Sequence, residues 1–314
     1  MRRRRLGQHG PEISLVGLGA WEAGGGEYGA GPAEDELIEA YRAGFDAGID
    51  WIDTAEVYGP HTSEELVGRA VAGRDDVMVF TKVGPRPLGH GYEPDAIRAA
   101  AEDSLRRLGR DVIDLFQLHQ PVPGMDVEAA WEAMAALVDD GLARAIGVSN
   151  FDLSQLELCQ RIRPPDSLQP QLSMLYSEQR DLIEWCRERE VGVIAYGPLA
   201  FGLLTGQVSA DTRFPADDWR GGGNEVPAVK RLYEALFAPD VFAGNVAKAE
   251  AVDPVADELG ISRAQLAVAW ALHQPGVTGV ICGTTEARLA REDAAAGDVE
   301  LSAGDLAKID GLLA

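Results

Sequence analysis

Short apolar, β-branched runs alternate with longer stretches of helical spacing along the whole chain. The runs are Ile13–Leu18, Trp51–Asp53, Val77–Lys82, Val112–His119, Ala143–Val148, Ser167–Gln169, Val191–Tyr196 and Val277–Ile281, eight candidate strands. Between them, Leu37, Ala40, Tyr41, Gly44 and Phe45 share one helical face, as do Val127, Ala130, Trp131, Met134, Leu137 and Val138. Both sets follow the i, i+3, i+4, i+7 rule of an amphipathic helix. A third segment carries Ile97, Ala101, Ser104, Leu105 and Leu108, with Pro94 suited to its first turn and Gly109 to its exit. Eight strand-then-helix units predict an α/β fold with a parallel sheet, and the (β/α)8 TIM barrel matches the count. An open doubly wound sheet is the alternative that periodicity leaves standing. No linker or low-complexity tract divides residues 1–314, so a single domain is expected. The one long irregular stretch, about Ala200 to Val226, has the length of a lid or binding loop.

Composition narrows the partners. With 46% hydrophobic and 25% charged residues in 314, the chain can bury a large core, which excludes a disordered or collagenous protein. A net charge of −23, with lysine only at 82, 230, 248 and 308, argues against nucleic acid as partner. Met1–Arg5 is basic but is followed by Leu6-Gly-Gln-His-Gly-Pro, which is turn chemistry rather than the apolar core of a leader. The arginines are expected on a short N-terminal β-hairpin. No run approaches the roughly 18 apolar residues of a membrane span, and a cytoplasmic location is expected. Cys159, Cys186 and Cys282 are odd in number and far apart, which fits buried free thiols in a reducing compartment. His9, His61, His90, His119 and His273 form no H-x-H or H-x-x-x-H pair, and no metal is expected.

Barrel chemistry collects where strands end. Asp53, Lys82, His119, Ser149-Asn150, Gln169 and Tyr196 close six successive strands. Each has an ordinary structural reading. Asp53 could cap the helix near Thr62, Lys82 could snorkel to the surface, His119 could be a satisfied core histidine, and Ser149-Asn150 could cap the helix near Asp152. Together they suggest more. Asp53 and Lys82 form an ion pair on neighbouring strands, and Tyr58 lies in the loop after Asp53. An ammonium beside a phenol favours the phenolate, so it makes the phenol a better acid. A histidine donor would hold a carbonyl oxygen alongside. This is a proton-relay site for carbonyl reduction, without a nucleophilic Ser or Cys. The hydride must come from a cofactor. Gly17-Leu-Gly-Ala-Trp-Glu22 begins like G-x-G-x-x-G but ends in Glu, so the Rossmann fingerprint fails, and no Y-x-x-x-K pair exists.

These residues resemble the aldo-keto reductase superfamily, its bacterial members above all. The matching pieces are Gly17-Leu-Gly-Ala-Trp21, Asp53-Thr-Ala-Glu-Val-Tyr58-Gly, Phe80-Thr-Lys82-Val-Gly, Asp111 to His119, Gly147-Val-Ser-Asn150-Phe, Ala195-Tyr196-Gly-Pro-Leu199 and Val280-Ile-Cys-Gly283-Thr-Thr. They run in the family's order over nearly the whole chain. The resemblance implies a single barrel binding NADP(H), or alternatively NAD(H), and acting on a small-molecule carbonyl or sugar. It implies a catalytic tetrad of Asp53, Tyr58, Lys82 and His119, with Tyr58 as general acid. Gly19, Ala20, Trp21 and Asp53 would border the cofactor. Ser149, Asn150 and Gln169 would hold its carboxamide, Tyr196 would stack on the nicotinamide, and Gly197, Pro198, Leu199 and Ala200 would touch the pyrophosphate. Gly283, Thr285, Leu289, Glu292 and Asp293 would line the far end. Trp21, Tyr58, His119 and Trp219 would wall the substrate pocket. The chain departs from the family pattern in having Cys282 for Pro, Leu289 for the commoner Arg or Gln, Asp293 for Asn, Gly197 for Ser and Leu172 near an often aromatic position. Arg288 or Arg291 could take over the grip on the 2′-phosphate. The resemblance leaves two other activities open: a nucleotide-binding regulatory subunit, and sugar or polyol oxidation.

Overall fold

The computed structural model describes residues 1–25, 32–59, 61–224 and 226–313. A short antiparallel hairpin comes first, β1 (Arg3–Arg5) against β2 (Glu12–Ser14). The chain then alternates through β3 (Val16–Gly19), α1 (Glu34–Asp46), β4 (Trp51–Asp53), α2 (Thr62–Ala70), β5 (Met78–Val83), α3 (Pro94–Leu108), β6 (Leu115–Leu118) and α4 (Val127–Asp139). It continues through β7 (Ile146–Ser149), α5 (Leu153–Ile162), β8 (Ser167–Gln169), α6 (Arg180–Glu188) and β9 (Gly192–Tyr196). Four helices follow before the last strand: α7 (Pro227–Leu236), α8 (Phe242–Ala251), α9 (Asp253–Leu259) and α10 (Arg263–Leu272). β10 (Gly279–Gly283), α11 (Ala287–Ala296) and α12 (Ala303–Leu313) complete the chain. Strands β3 to β10 pair in parallel with their sequence neighbours, and β10 returns to β3, closing an eight-stranded barrel. The closed ring removes the doubly wound alternative.

The run Ile13–Leu18 divides into two elements: β2 ends at Ser14, and β3 starts at Val16 in the barrel. Ser14 makes the change of direction. Its Oγ donates to Val16 O at 2.6 Å, and its N–H donates to Asp50 Oδ1 at 2.8 Å. Helix α3 opens on Pro94 and stops at Gly109, whose φ of 64° is the left-handed conformation a glycine adopts without strain.

Two apolar layers hold the barrel. The larger lies between strands and helices. The smaller fills the interior, with Trp51, Phe80, Leu115, Ala145, Ile194 and Ile281 joined from below by Leu6 and Ile13 of the hairpin region. Trp51 stacks on Phe80 at 5.1 Å, and its Nε1 donates to Ser14 O at 2.8 Å. The indole fits because Gly17 faces it: a Cβ there would lie 2.2 Å from the ring. Gly17→Ala is therefore expected to cost about 1–3 kcal/mol through overpacking. Thermal unfolding checks this, and an unchanged midpoint would refute the tight seat. The hairpin is also tied to the other end of the chain. Arg2 donates to Gly297 O and Val299 O, and Arg4 Nη1 donates to Leu272 O and Val277 O.

Candidate active site

Side chains two residues apart on a strand share a face. Trp51 and Phe80 point into the barrel, so Asp53 and Lys82 do too, one layer nearer the C-terminal mouth. The same step leads from Leu115 to Gln117 and from Ile194 to Tyr196. The apolar interior thus gives way to a polar layer at the strand ends.

That layer is one connected network. Lys82 Nζ forms an ion pair with Asp53 Oδ1 and donates to Thr54 O at 2.8 Å. Both side chains are essentially sealed from solvent, at 0% and 4% exposure, which removes the snorkelling reading of Lys82. Asp53 Oδ2 accepts from Gln169 Nε2 at 2.9 Å and from Gln117 Nε2 at 3.2 Å. Burial pushes the Asp53 carboxyl up and the Lys82 ammonium down, and their mutual attraction opposes both shifts. Asp53 does not cap α2, whose N-cap is His61.

Tyr58 completes the group. Its hydroxyl lies 3.4 Å from Lys82 Nζ and 3.5 Å from His119 Nε2. Its ring meets the His119 ring edge-on at 5.4 Å, and the Lys82 ammonium lies 5.1 Å from the ring centre. Burial, and secondarily the Lys82 charge, hold His119 well below the ordinary histidine range, so the imidazole is neutral at neutral pH. A neutral ring with Nε2–H directed at the phenol is a hydrogen-bond donor for an oxygen placed between them.

The next strand ends join the same network. Ser149 Oγ donates to Gln169 O at 2.9 Å. Asn150, in the left-handed region at φ 60°, donates from Nδ2 to His119 O at 3.2 Å and to Ser149 Oγ at 3.0 Å. Tyr196 donates its hydroxyl to Asn150 Oδ1 at 2.9 Å. Helix α5 is capped by Asp152, which accepts from Gln155 N at 2.9 Å, so Ser149 and Asn150 are not its caps. On the opposite side, Gly19 ends β3, and Ala20 N–H donates to Asp53 O at 2.9 Å. Beyond β9, Gly197 and Ala200 both have positive φ, 70° and 47°, in a tight turn with Pro198 and Leu199. Gly283 ends β10 next to Thr284 and Thr285. Leu289, Glu292 and Asp293 follow on α11, with Asp293 only 5% exposed.

Aromatic rings cover the mouth. Trp21 stacks on Trp219 at 5.8 Å and lies 6.4 Å from Tyr58. Phe201 meets both tryptophans edge-on, at 5.9 and 5.3 Å. Trp219 belongs to the long stretch expected as a lid and is buried against the barrel, while Glu225 of that stretch lies outside the described residues. Two residues of the site are not marked by the strand-end pattern. Gln117 carried a signal, as one polar position inside Leu-Phe-Gln-Leu. Phe201 carried none, because its place depends on the turn at Ala200. Cys159, Cys186 and Cys282 are buried free thiols, and burial pushes the first two up to about 12. Among the described residues, no helix is long and apolar enough to cross a membrane, and no three His, Cys, Asp or Glu are grouped to hold a metal.

The chain resembles known proteins in both sequence and fold. The sequence matches the model of the Aldo/keto reductase family over residues 15–314. It is 35% identical over 283 residues to the aldo-keto reductase YhdN of Bacillus subtilis (strain 168), covering 87% of this chain and 82% of that protein. The structure superposes on the glycerol dehydrogenase of Gluconobacter oxydans with a TM-score of 0.85 and 31% identity, covering 99% and 94% of the two chains. An aldo/keto reductase of Klebsiella pneumoniae, solved in complex with NADP and acetate, matches with a TM-score of 0.73 and 30% identity, covering 98% and 95%.

Proposed function

Because the chain belongs to the aldo/keto reductase family, we propose that it reduces aldehydes or ketones to alcohols with NADP(H) as hydride source and Tyr58 as general acid. One observation carries the reading: the Tyr58 hydroxyl stands between a buried ammonium and a neutral imidazole, 3.4 and 3.5 Å away. The cofactor fits the residues present. Helix α11 begins without a side-chain cap at Glu286, so its first N–H groups can receive an anion. Arg288 and Arg291 are exposed on the same helix for a 2′-phosphate. At the strand ends, Gln169 keeps its Oε1 outside the bonds to Asp53 and Gln117 and can accept from a carboxamide, beside Ser149 and Asn150. The Tyr196 ring and the Gly197–Ala200 turn would take the nicotinamide and the pyrophosphate, with Gly19 to Trp21 and Gly283 to Asp293 at the borders. The residues of 1–314 serve this site as a single domain.

When bound, the nicotinamide supplies the hydride. The chain's own residues do the rest. His119 donates from Nε2 to the carbonyl oxygen and orients it. Tyr58 passes its hydroxyl proton to that oxygen as charge develops there. The phenolate left behind is stabilised by the Lys82 ammonium, which Asp53 keeps charged in a buried setting. Asp53 in turn is held by Gln117 and Gln169. Trp21, Trp219 and Phe201 exclude water and favour a flat or apolar substrate.

The test is consumption of NADPH and of NADH by the purified protein with a reactive aromatic aldehyde. Turnover, faster with NADPH, is expected. Tight coenzyme binding with no turnover would replace the reductase by a nucleotide-binding regulatory subunit. The likeness to a glycerol dehydrogenase supports a second reading, polyol oxidation by the same relay in reverse. Faster turnover with glycerol and NADP than with any aldehyde would favour it.

A further inference from the structure

Behind the end of β10 lies a set of ionisable groups that the proton relay does not use. Glu22 follows Trp21 in a single turn of 3-10 helix, and its carboxylate rests against Gly283. A Cβ on that glycine would meet Glu22 Oε1 at 2.1 Å. Glu22 Oε2 is sealed from solvent and has no hydrogen-bond partner among the described residues. The Tyr41 hydroxyl of α1 is likewise buried and unpartnered, and Cys282 and Asp293 are buried on β10 and α11. Glu22 acts electrostatically on the Tyr41 phenol, the Cys282 thiol and the Asp293 carboxyl, so four elements bring these buried groups within reach of one another. Among the described residues, two further charged groups act on these carboxyls. Arg220 acts on Glu22 from the loop, its guanidinium also held by Asp218 and Phe201 O. Glu292 acts on Asp293 from its own helix, and itself accepts from Ser262 Oγ and pairs with Arg288.

We infer that Glu22, backed by Asp293, makes coenzyme binding consume a proton. The inference rests on the coenzyme reading above. There Gly283 borders the coenzyme and the uncapped start of α11 can receive one of its anionic groups, and Glu22 touches that border. An ionised carboxylate so placed repels an anionic dinucleotide, whereas a protonated one does not. Burial pushes Glu22 up to about 7, while Asp293 reaches about 8, chiefly through burial and then through Glu292 and Glu22. Burial drives the Cys282 thiol and the Tyr41 phenol up too, so neither adds charge in this range. The sign follows by linkage. Near pH 6 both carboxyls already hold protons in the free protein, and binding takes up none. From about pH 7 to 9 a growing fraction is ionised, the incoming anion favours the neutral form, and affinity falls as pH rises.

NADPH and NADH titrations, read by quenching of tryptophan fluorescence between pH 6 and 9, test this. NADH lacks the 2′-phosphate, which titrates near pH 6, so it isolates the protein's own groups. NADH affinity is expected to weaken about fivefold to tenfold across the range, the scale of one screened charge contact. Glu22→Gln, of the same shape but unable to ionise, is expected to lose most of that slope and to bind more tightly than the unmodified chain at pH 9. Asp293→Asn should act in the same sense. Should either variant fold poorly, calorimetry on the unmodified protein decides, because uptake makes the binding heat at pH 7.5 depend on the buffer's ionisation enthalpy. Equal slopes in the variants, with buffer-independent heat, would overturn the inference and leave the coenzyme reading standing. No quench by either dinucleotide at any pH would overturn both.

Discussion

Tyr58→Phe is expected to lower kcat by about 10²–10⁴-fold, the contribution of a positioned general acid, with coenzyme affinity unchanged. The substitution removes one oxygen and leaves the ring in place. That ring packs on His119 at 5.4 Å and on Trp21 at 6.4 Å, so the pocket keeps its shape. What disappears is the only hydroxyl lying between Lys82 Nζ and His119 Nε2 among the described residues. Turnover and fluorescence titration with NADPH, measured on the same preparation, separate the two effects. If kcat falls by less than threefold, the proton comes from elsewhere and the acid assignment fails.

The second large effect concerns stability as much as catalysis. Asp53→Asn leaves the Lys82 ammonium buried at 0% exposure without its ion-pair partner, with the Thr54 carbonyl and the Tyr58 hydroxyl beside it and the Glu64 carboxylate acting on it through space. An uncompensated buried charge of this kind costs about 3–5 kcal/mol. Urea denaturation should show the midpoint move down with an unchanged slope, and turnover should fall because the ion pair that chiefly keeps the ammonium charged is gone. The pair Asp53→Leu with Lys82→Met separates the two roles. Removing both charges should restore much of the stability while activity stays lost. An Asp53→Asn protein as stable as its parent would mean that Lys82 is neutral in the resting site.

Much of this site can be read along the strands. Trp51 and Asp53, like Ile194 and Tyr196, are pairs two residues apart, so one inward face carries core and chemistry in succession. The strand-end residues could be named in order because each is polar after an apolar run. Gln117 is harder to read because it sits mid-run, where a lone polar residue looks like a break in the pattern instead of a partner for Asp53. Boundaries were less legible. Val112–His119 reads as one strand, yet only Leu115–Leu118 pairs continuously, with an isolated bridge from Ile113 to Ala143 before it. The split at Ser14 depends on a contact to Asp50, 36 residues away, which no local pattern reports. Glu22 was legible only as a departure from a glycine fingerprint. Its placement over Gly283 arises from barrel closure, when β10 comes to lie beside β3.

That closure has a consequence for how the chain comes into being. β3 waits for β10, and Arg2 and Arg4 wait for carbonyls at positions 272 to 299. On the ribosome, at roughly 5–20 residues per second, the first barrel strand spends tens of seconds as an open edge before its partner is made. An open parallel edge of Val-Gly-Leu-Gly invites pairing with other nascent chains. A message truncated before codon 279 should therefore yield an aggregating product with two unpaired edges rather than a smaller, workable barrel. The last strand acts as the commitment step for the whole ring, and the basic N-terminus as the clasp that follows it.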